Sequence, residues 1–522
     1  RFCVLALFLF NILWFIPLGV MLRGSQLGQF GLGMKNELDG RGIVGRAGKG
    51  KAMRRVSVLV FLLLGTATLA LGEARAQNLM EALSLAYTNN PTLQAQRARL
   101  RSVNEGVPQA RSGWRPDVEF TTEVGGLRRR ASNSSVSGSG DDDRSFYNGG
   151  FSITQNVYEG GSTEAEIKQA KHAVSAERAR LVTTEQEVLL DAATAYMDVF
   201  QEEAVLRLNI NNEQVLARQL QATRDRFNVG EVTRTDVAQA ESRLARATAE
   251  RIQAEGDLEV SRAFYEQIVG EKPSTVPNPG YPVALPKGVD EAISLALNGN
   301  PAVVSATYDE RSARAYVDVV KSELLPSIDL VGDASHSRNA SASDQTINDI
   351  TVSVEVSVPL YQQGAVSSRV REAIQLAGEN QLQVEEARRA AIEDARSGFE
   401  QLLTARASIQ SREAGVRAAK IALEGVEQEA AVGSRTVLDV LDAEQELLDA
   451  QVNLVRDQRD AIVASYQLLA AVGRLTARDL SLPVDVYDLD SHYLKVRNKL
   501  WGFEGSLFDL GPSKNKKALI KK

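Results

Sequence analysis

Two periods divide the apolar positions of this chain. From Asp117 to Val124 the sequence alternates: Asp117, Glu119, Thr121 and Glu123 fall on one side, Val118, Phe120, Thr122 and Val124 on the other. Thr351 to Val358 alternates more cleanly, with Val352, Val354, Val356 and Val358 opposing Thr351, Ser353, Glu355 and Ser357. A period of two predicts β-strands. Phe151 to Tyr158 and Ser327 to Ala334 follow it less regularly and complete a set of four. Each pair is joined by a stretch rich in Ser, Asp, Asn and Gly, Gly126 to Gly150 and Ser335 to Ile350, which predicts polar loops.

Elsewhere the pattern is helical and very long. Ser162 to Val229 is 68 residues without glycine or proline, rich in Ala, Glu, Gln, Arg and Leu. Such a composition favours continuous helix, and at about 1.5 Å per residue it would run roughly 100 Å. A second stretch of the same length, Ala365 to Val432, is free of proline, and the glycines that bracket the two, Gly161 and Gly230 against Gly364 and Gly433, are each 203 residues apart. After each closing glycine comes a similar pattern, Gly230-Glu-Val-Thr-Arg-Thr-Asp236-Val237 and Gly433-Ser-Arg-Thr-Val-Leu-Asp439-Val440. Val269-Gly270 and Val472-Gly473 then recur at the same offset. Each half therefore reads as a long helix, a tight turn and a shorter returning helix. Leu441, Leu448 and Val455 repeat at seven, as a packed helical seam does.

A shorter repeat precedes the rods. Glu81-Ala-Leu-Ser-Leu-Ala86 with Asn90-Pro91 recurs as Glu291-Ala-Ile-Ser-Leu-Ala296 with Asn300-Pro301. Proline cannot continue a helix, so each copy predicts a helix that ends before it. Gly106 and Pro108, which the second copy lacks, predict a kink or break in the first. The proline-rich run Glu271 to Gly288 reads as an extended connector between the halves, and Ser513 to Lys522 as a basic, poorly ordered end.

Composition narrows the chemistry. The 522 residues carry a formal net charge of -7 and no stretch that concentrates Lys and Arg with aromatics, which argues against nucleic acid as a partner. Arg128-Arg129-Arg130 is balanced by Asp141-Asp142-Asp143, and both read as solvated loop. Cys3 is the one cysteine, and the three histidines, His172, His336 and His492, form no ligand-spaced pair. No phosphate loop, serine elbow or metal-spaced cluster appears, so neither a cofactor nor catalysis is expected. Met53-Arg54-Arg55, the apolar run Val56 to Leu71 and Ala74-Arg75-Ala76 have the three parts of an export signal, with cleavage expected between Ala76 and Gln77. Phe2 to Leu22 is apolar enough for a membrane span. Residues 1–52 read either as an over-extended start or as an anchor.

The strand lengths suit tilted membrane strands, with a small soluble sheet as the alternative. A sheet in a membrane has no exposed edge, and the smallest bacterial barrels need eight strands, so four strands in a membrane require several copies of the chain.

These residues resemble the TolC-type outer-membrane efflux and type I secretion channels over nearly all of 77–502. The resemblance is most specific at Arg226-Phe-Asn-Val-Gly-Glu-Val-Thr-Arg-Thr-Asp236, at Val432-Gly-Ser-Arg-Thr-Val-Leu-Asp-Val-Leu-Asp442 and at Val486-Tyr-Asp-Leu-Asp-Ser-His-Tyr-Leu-Lys-Val-Arg497. It implies an α+β membrane protein: a trimeric channel-tunnel in which four strands per chain make a twelve-stranded outer-membrane β-barrel, continued by a periplasmic α-helical barrel. The division that follows is 53–76 export signal, 77–270 first repeat, 271–288 connector, 289–473 second repeat, 474–502 equatorial segment and 503–522 disordered tail. The partners implied are two further copies of the chain, outer-membrane lipid, a periplasmic adaptor and an inner-membrane transporter of the RND or ABC class. The function implied is passive export, with no reaction catalysed and the entrance closed at the helix tips.

Asp439 and Asp442, spaced i, i+3, share a helix face. Turned into a pore, that face in three chains would gather six carboxylates that raise one another's pKa and attract cations, and matching family positions form such an acidic ring. Asp236, Thr235 and Arg435 match the polar links that hold the family's entrance shut, with Gly230 and Gly433 in the tip turns. One position departs, Ala430 standing where the family's best-known pattern has a tyrosine. The competing readings are a periplasmic adaptor, which would have one hairpin and a carrier-like β domain, a coiled-coil scaffold without a pore, and a periplasmic enzyme, which would need a polar constellation outside the repeats.

Overall fold

The computed structural model describes residues 78–130, 142–282 and 285–502. The proposed export signal, its cleavage site Ala76 and Gln77, the stretch before it, Cys3 and the basic tail lie outside the described residues.

The chain runs through the same series twice. The first repeat has α1 (Leu79–Asn89), α2 (Pro91–Asn104), α3 (Gly106–Ser112), β1 (Asp117–Arg129), β2 (Asp142–Glu159), α4 (Ser162–Asn228) and α5 (Arg234–Val269). The second has α6 (Val289–Gly299), α7 (Pro301–Ser322), β3 (Ser327–Arg338), β4 (Thr346–Ser357), α8 (Ala365–Ala431) and α9 (Val437–Ala471). A short α10 (Ser491–Val496) follows. The break between α2 and α3 falls at Gly106 and Pro108, whereas α7 is unbroken for 22 residues.

Each Asn-Pro pair does two jobs. The Asn90 carboxamide oxygen accepts from the backbone N–H groups of Thr92 and Leu93, capping α2 behind Pro91. Its Nδ2 donates to the carbonyl of Ile268, near the end of α5, at 3.1 Å. Asn300 caps α7 through Ala302 and donates to the carbonyl of Ala471 at 3.0 Å. The returning end of each hairpin is thereby tied to the junction between the first two helices of its own repeat.

The four strands form one antiparallel sheet in the order β1-β2-β3-β4. They are longer than the alternation suggests, at 13, 18, 12 and 12 residues. Much of Gly126 to Gly150 and of Ser335 to Ile350, expected to be loop, is strand: Gly126 pairs with Ser145, and Ser337 with Ile347. A ladder is made by backbone groups, which Gly and Ser supply as well as Val does, so pairing continues after the side-chain pattern has faded. Arg128 and Asp143, expected to be solvated loop, are cross-strand partners joined at 2.7 Å.

The main core surrounds the middle of α4. Leu189, Ala192, Ala193, Tyr196 and Met197 are fully buried among residues of α1, α2, α5 and α9, with Val276 of the connector and Leu475, Ala477 and Leu482 beyond α9. The late segment is held from a distance: Arg97 of α2 lies between the rings of Tyr87 and Tyr487, at 4.5 and 5.3 Å, and the Tyr487 N–H donates to the Tyr87 hydroxyl at 2.9 Å. A second cluster joins α6, α7, α8 and α9 through Ala292, Ala296, Val303, Ala395 and Leu468. Among the described residues no helix is long and apolar enough to cross a membrane.

Candidate functional site: strand wall and helix tips

The register sorts the sheet into two chemically distinct faces. Val118, Ile153, Gly332 and Val352 stand in one row across all four strands; the next row is Glu119, Ser152, Asp333 and Thr351. The row after that is apolar again, with Phe120, Phe151, Ala334 and Ile350. Successive side chains point to opposite faces, so through these rows one face is apolar and the other polar; farther along, the apolar face gives way to a row of Thr122, Gly149, His336 and Asn348. The rings of Phe120 and Phe151 lie 4.7 Å apart, and on the opposite face Ser152 Oγ donates to Asp333 Oδ1 at 2.7 Å. Val118, Phe120, Val352 and Val354 are all exposed within the protomer. An apolar face beside lipid and a polar face beside water are what a barrel wall needs, and 12 or more residues per strand exceed the roughly 9–11 that cross a bilayer.

At the far end of the rods the two turns are built alike. Gly230 and Gly433 take φ of +84° and +81°, a region that favours glycine. In the first turn the Gly230 N–H bonds the Phe227 carbonyl and the Glu231 N–H the Arg226 carbonyl. In the second, Gly433 bonds Ala430 and Ser434 bonds Glu429. Each returning helix then opens with a capping box. The Thr233 N–H and hydroxyl donate to Asp236 Oδ2 at 2.8 and 2.7 Å; those of Thr436 donate to Asp439 Oδ2 at 2.9 and 2.7 Å. The hydrogen bonds from Thr436 hold the Asp439 carboxyl below the usual carboxylate range, with Arg435 acting in the same direction. Within one protomer this is opposite to the upward shift expected of crowded ring carboxylates. The pattern Thr-x-x-Asp, present at both tips in the sequence, signals a cap, a role beyond the gate link expected of Asp236 and the ring expected of Asp439.

The remaining candidates separate. Asp236 and Arg435 are not brought together within a protomer: Asp236 caps α5, and Arg435 Nε donates to Glu429 at 2.8 Å. Thr235 is exposed in the first turn of α5. Asp442 is exposed and forms an ion pair with Arg243 of α5, a residue that sequence reasoning did not single out. Ala430 is buried in a cluster with Leu423 and Val440. Close by, Glu444 has its carboxyl raised by burial and by Glu427, against the opposing effect of Arg218. No group of three or more His, Cys, Asp or Glu residues that could hold a metal occurs among the described residues.

Comparison with known proteins matches this geometry. The family model described as outer membrane efflux protein matches residues 82–271 and 292–474, one match per repeat. The chain is 33% identical over 453 residues to the outer membrane efflux protein BepC of Brucella suis biovar 1, covering 87% of this chain and 97% of that protein. It is 26% identical over 427 residues to the outer membrane protein TolC of Escherichia coli K12, covering 78% and 84%. The crystal structure of the CmeC outer membrane channel of Campylobacter jejuni superposes with a TM-score of 0.71 at 15% identity, covering 81% of this chain and 89% of that one. These relatives are channels rather than enzymes, and the fold is that of a channel-tunnel protomer that contributes four strands to its barrel. A two-faced sheet carried on long paired rods is the wall of an outer-membrane exit duct for efflux or type I secretion, and the chain belongs to the outer membrane efflux protein family.

Proposed function

We propose that three copies of the chain form the duct, that its periplasmic entrance is gated at the four helix ends of each protomer, and that it catalyses no reaction. Asp439 and Asp442 of the three copies form an acidic ring at that entrance. Asp236, Thr235 and Arg435 supply polar links that close it, and Gly230 and Gly433 set the turns. Substrates are handed over by an inner-membrane RND or ABC transporter through a periplasmic adaptor, which supplies the force that opens the tips.

The observation that carries this reading is the position of Asp442. It is exposed on the second turn of α9, beside the turn at Gly433 and on the same helix face as Asp439. A carboxylate so placed is available to cations at a pore mouth. Arg435 holds Glu429 within its own protomer and is exposed, so it can exchange that partner for a neighbouring copy's tip. The departure at Ala430 removes the hydroxyl that the family's tyrosine would offer, leaving the charged residues to hold the gate.

Conductance of the purified protein in a planar bilayer tests the reading. Wild type is expected to give small cation-selective steps that trivalent cations reduce, and Arg435→Ser to give larger ones. Unchanged steps in Arg435→Ser would remove Arg435 from the gate, and no effect of trivalent cations would remove the ring.

A further inference from the structure

Among the described residues, ion pairs cross from one hairpin to the other at two levels. Arg459 of α9 meets Asp198 of α4 at 2.8 Å, part-way along the rods. Arg243 of α5 meets Asp442 of α9 at the tips. The second pair rests on a packed base: Ala240, Leu244 and Ala247 of α5 cluster with Val437 and Leu441 of α9 and with Leu216 and Leu220 of α4. Alanine at two of the three α5 positions lets the backbones of α5 and α9 approach, and the Arg243 guanidinium then reaches across to the carboxylate. Arg243 is mostly sheltered, with 28% of its side chain exposed against 57% for Asp442. The arginine is thus the held partner and the aspartate the one that looks outward.

The pair is not copied by the repeat. At the offset of 203, Arg243 corresponds to Glu446 and Asp442 to Gln239, two residues that cannot form an ion pair. Local tip chemistry is duplicated, turn for turn and cap for cap, yet this link occurs on one side of the hairpin pair only. Asp236 and Arg435 each satisfy themselves within their own hairpin, whereas Arg243 and Asp442 join two hairpins and so resist their separation.

We propose that Arg243–Asp442 is the latch between the two hairpins of a protomer at the tunnel entrance. It also places a positive charge against one of the two ring carboxylates, so Arg243 sets how strongly the entrance collects cations. This rests on the reading that the tips gate the duct. An exposed ion pair favours the closed arrangement by a factor of roughly two to five, and three latches that release together multiply to roughly ten to a hundredfold.

The test compares trimers of wild type, Arg243→Gln, Asp442→Asn, Arg435→Ser and the double reversal Arg243→Asp with Asp442→Arg, in planar bilayers, with hexaamminecobalt(III) as the blocking cation. Both single latch variants are expected to enlarge the conductance steps, and the double reversal to return them towards wild type. Block is expected to move in opposite directions, tighter in Arg243→Gln, where a carboxylate is freed, and weaker in Asp442→Asn, where one is lost. A tip that is merely loosened would move both variants the same way, and that result overturns the latch. It is also overturned if Arg243→Gln matches wild type while Arg435→Ser opens the pore, which leaves the gate reading intact. If no tip variant changes conductance, the gate reading falls and the latch with it. Should Arg243→Gln fail to assemble, Arg243→Lys, which keeps the charge, is expected to preserve small steps, and large steps in that variant would count against the pair.

Discussion

The two long helices share a length of 67 residues and an exact offset, yet they live in different surroundings. Through its middle α4 is buried on nearly every side: Val188, Leu189, Ala192, Ala193, Ala195, Tyr196, Met197 and Val199 are all covered. The middle of α8 buries single positions, Ala391, Ala395 and Leu402, about a turn or two apart. Leu382 of α8, 72% exposed, corresponds to Ala179 of α4, which is buried. Duplication preserved the rod; packing then made one copy a core helix and the other a wall helix. The open side of α8 suits a tube whose wall is completed by further copies of the chain, because a lone protomer leaves such apolar positions in water.

The sharpest way to break this contrast is to truncate equivalent aromatics. Tyr196 is fully buried and its hydroxyl donates to the Pro277 carbonyl at 2.8 Å, whereas Phe399 at the same offset is only partly covered. Tyr196→Ala is expected to cost about 3–5 kcal/mol, and Phe399→Ala less than half of that, read as the loss of helical circular dichroism on heating. Equal losses would mean that the two rods are equally packed.

The glycines that close the hairpins make a second pair. Gly270 has φ of +87°, and an added Cβ would meet only Asn89 Cβ, at 3.6 Å; Gly473 has φ of +77°, and its Cβ would collide with the Gly299 carbonyl. Gly270→Ala carries only the left-handed penalty, about 1–2 kcal/mol. Gly473→Ala adds overpacking of about 1–3 kcal/mol. The difference in thermal midpoint between the two variants isolates the close approach of α9 to the helix that opens the second repeat.

The smallest effect concerns charge. Glu185 of α4 is half-buried and accepts from the Ala477 N–H at 2.7 Å, while its equivalent, Arg388, lies exposed on α8 beside Glu385. Burial raises the Glu185 carboxyl above its ordinary value. A raised carboxyl binds its proton more tightly in the folded state than in the unfolded one, so stability falls as the pH climbs from the unfolded value through the folded one. Glu185→Gln keeps an acceptor without the charge. It is expected to raise the melting temperature at pH 7, with the gain vanishing below about pH 4, where the native side chain is also neutral. Arg388→Gln should leave the melting temperature unmoved at either pH, and a gain from Glu185→Gln that persisted at low pH would point to packing rather than charge.

Some of the tip was legible and some was not. Gly230 and Gly433 announce turns because their conformation penalises any residue with a Cβ, and Thr233 and Thr436 announce caps because a hydroxyl three residues before a carboxylate satisfies the first N–H groups of a helix. Arg243 carried no such mark. Its partner lies 199 residues away, and nothing local distinguishes it from Arg246, which serves Glu250 one turn along its own helix.

The chain's own order of residues was enough to determine the rods, their turns, the duplication and the alternating strands, because each depends on neighbours within one turn or one pleat. Only the tertiary structure decided how far the strands extend, since ladders are made by backbone groups that every residue carries. It alone decided that Tyr487 is anchored by Arg97 and Tyr87, that α4 is core and α8 wall, and that Asp442 is joined to Arg243. Those outcomes depend on which helices meet in space, and two rods with the same local preferences meet different neighbours.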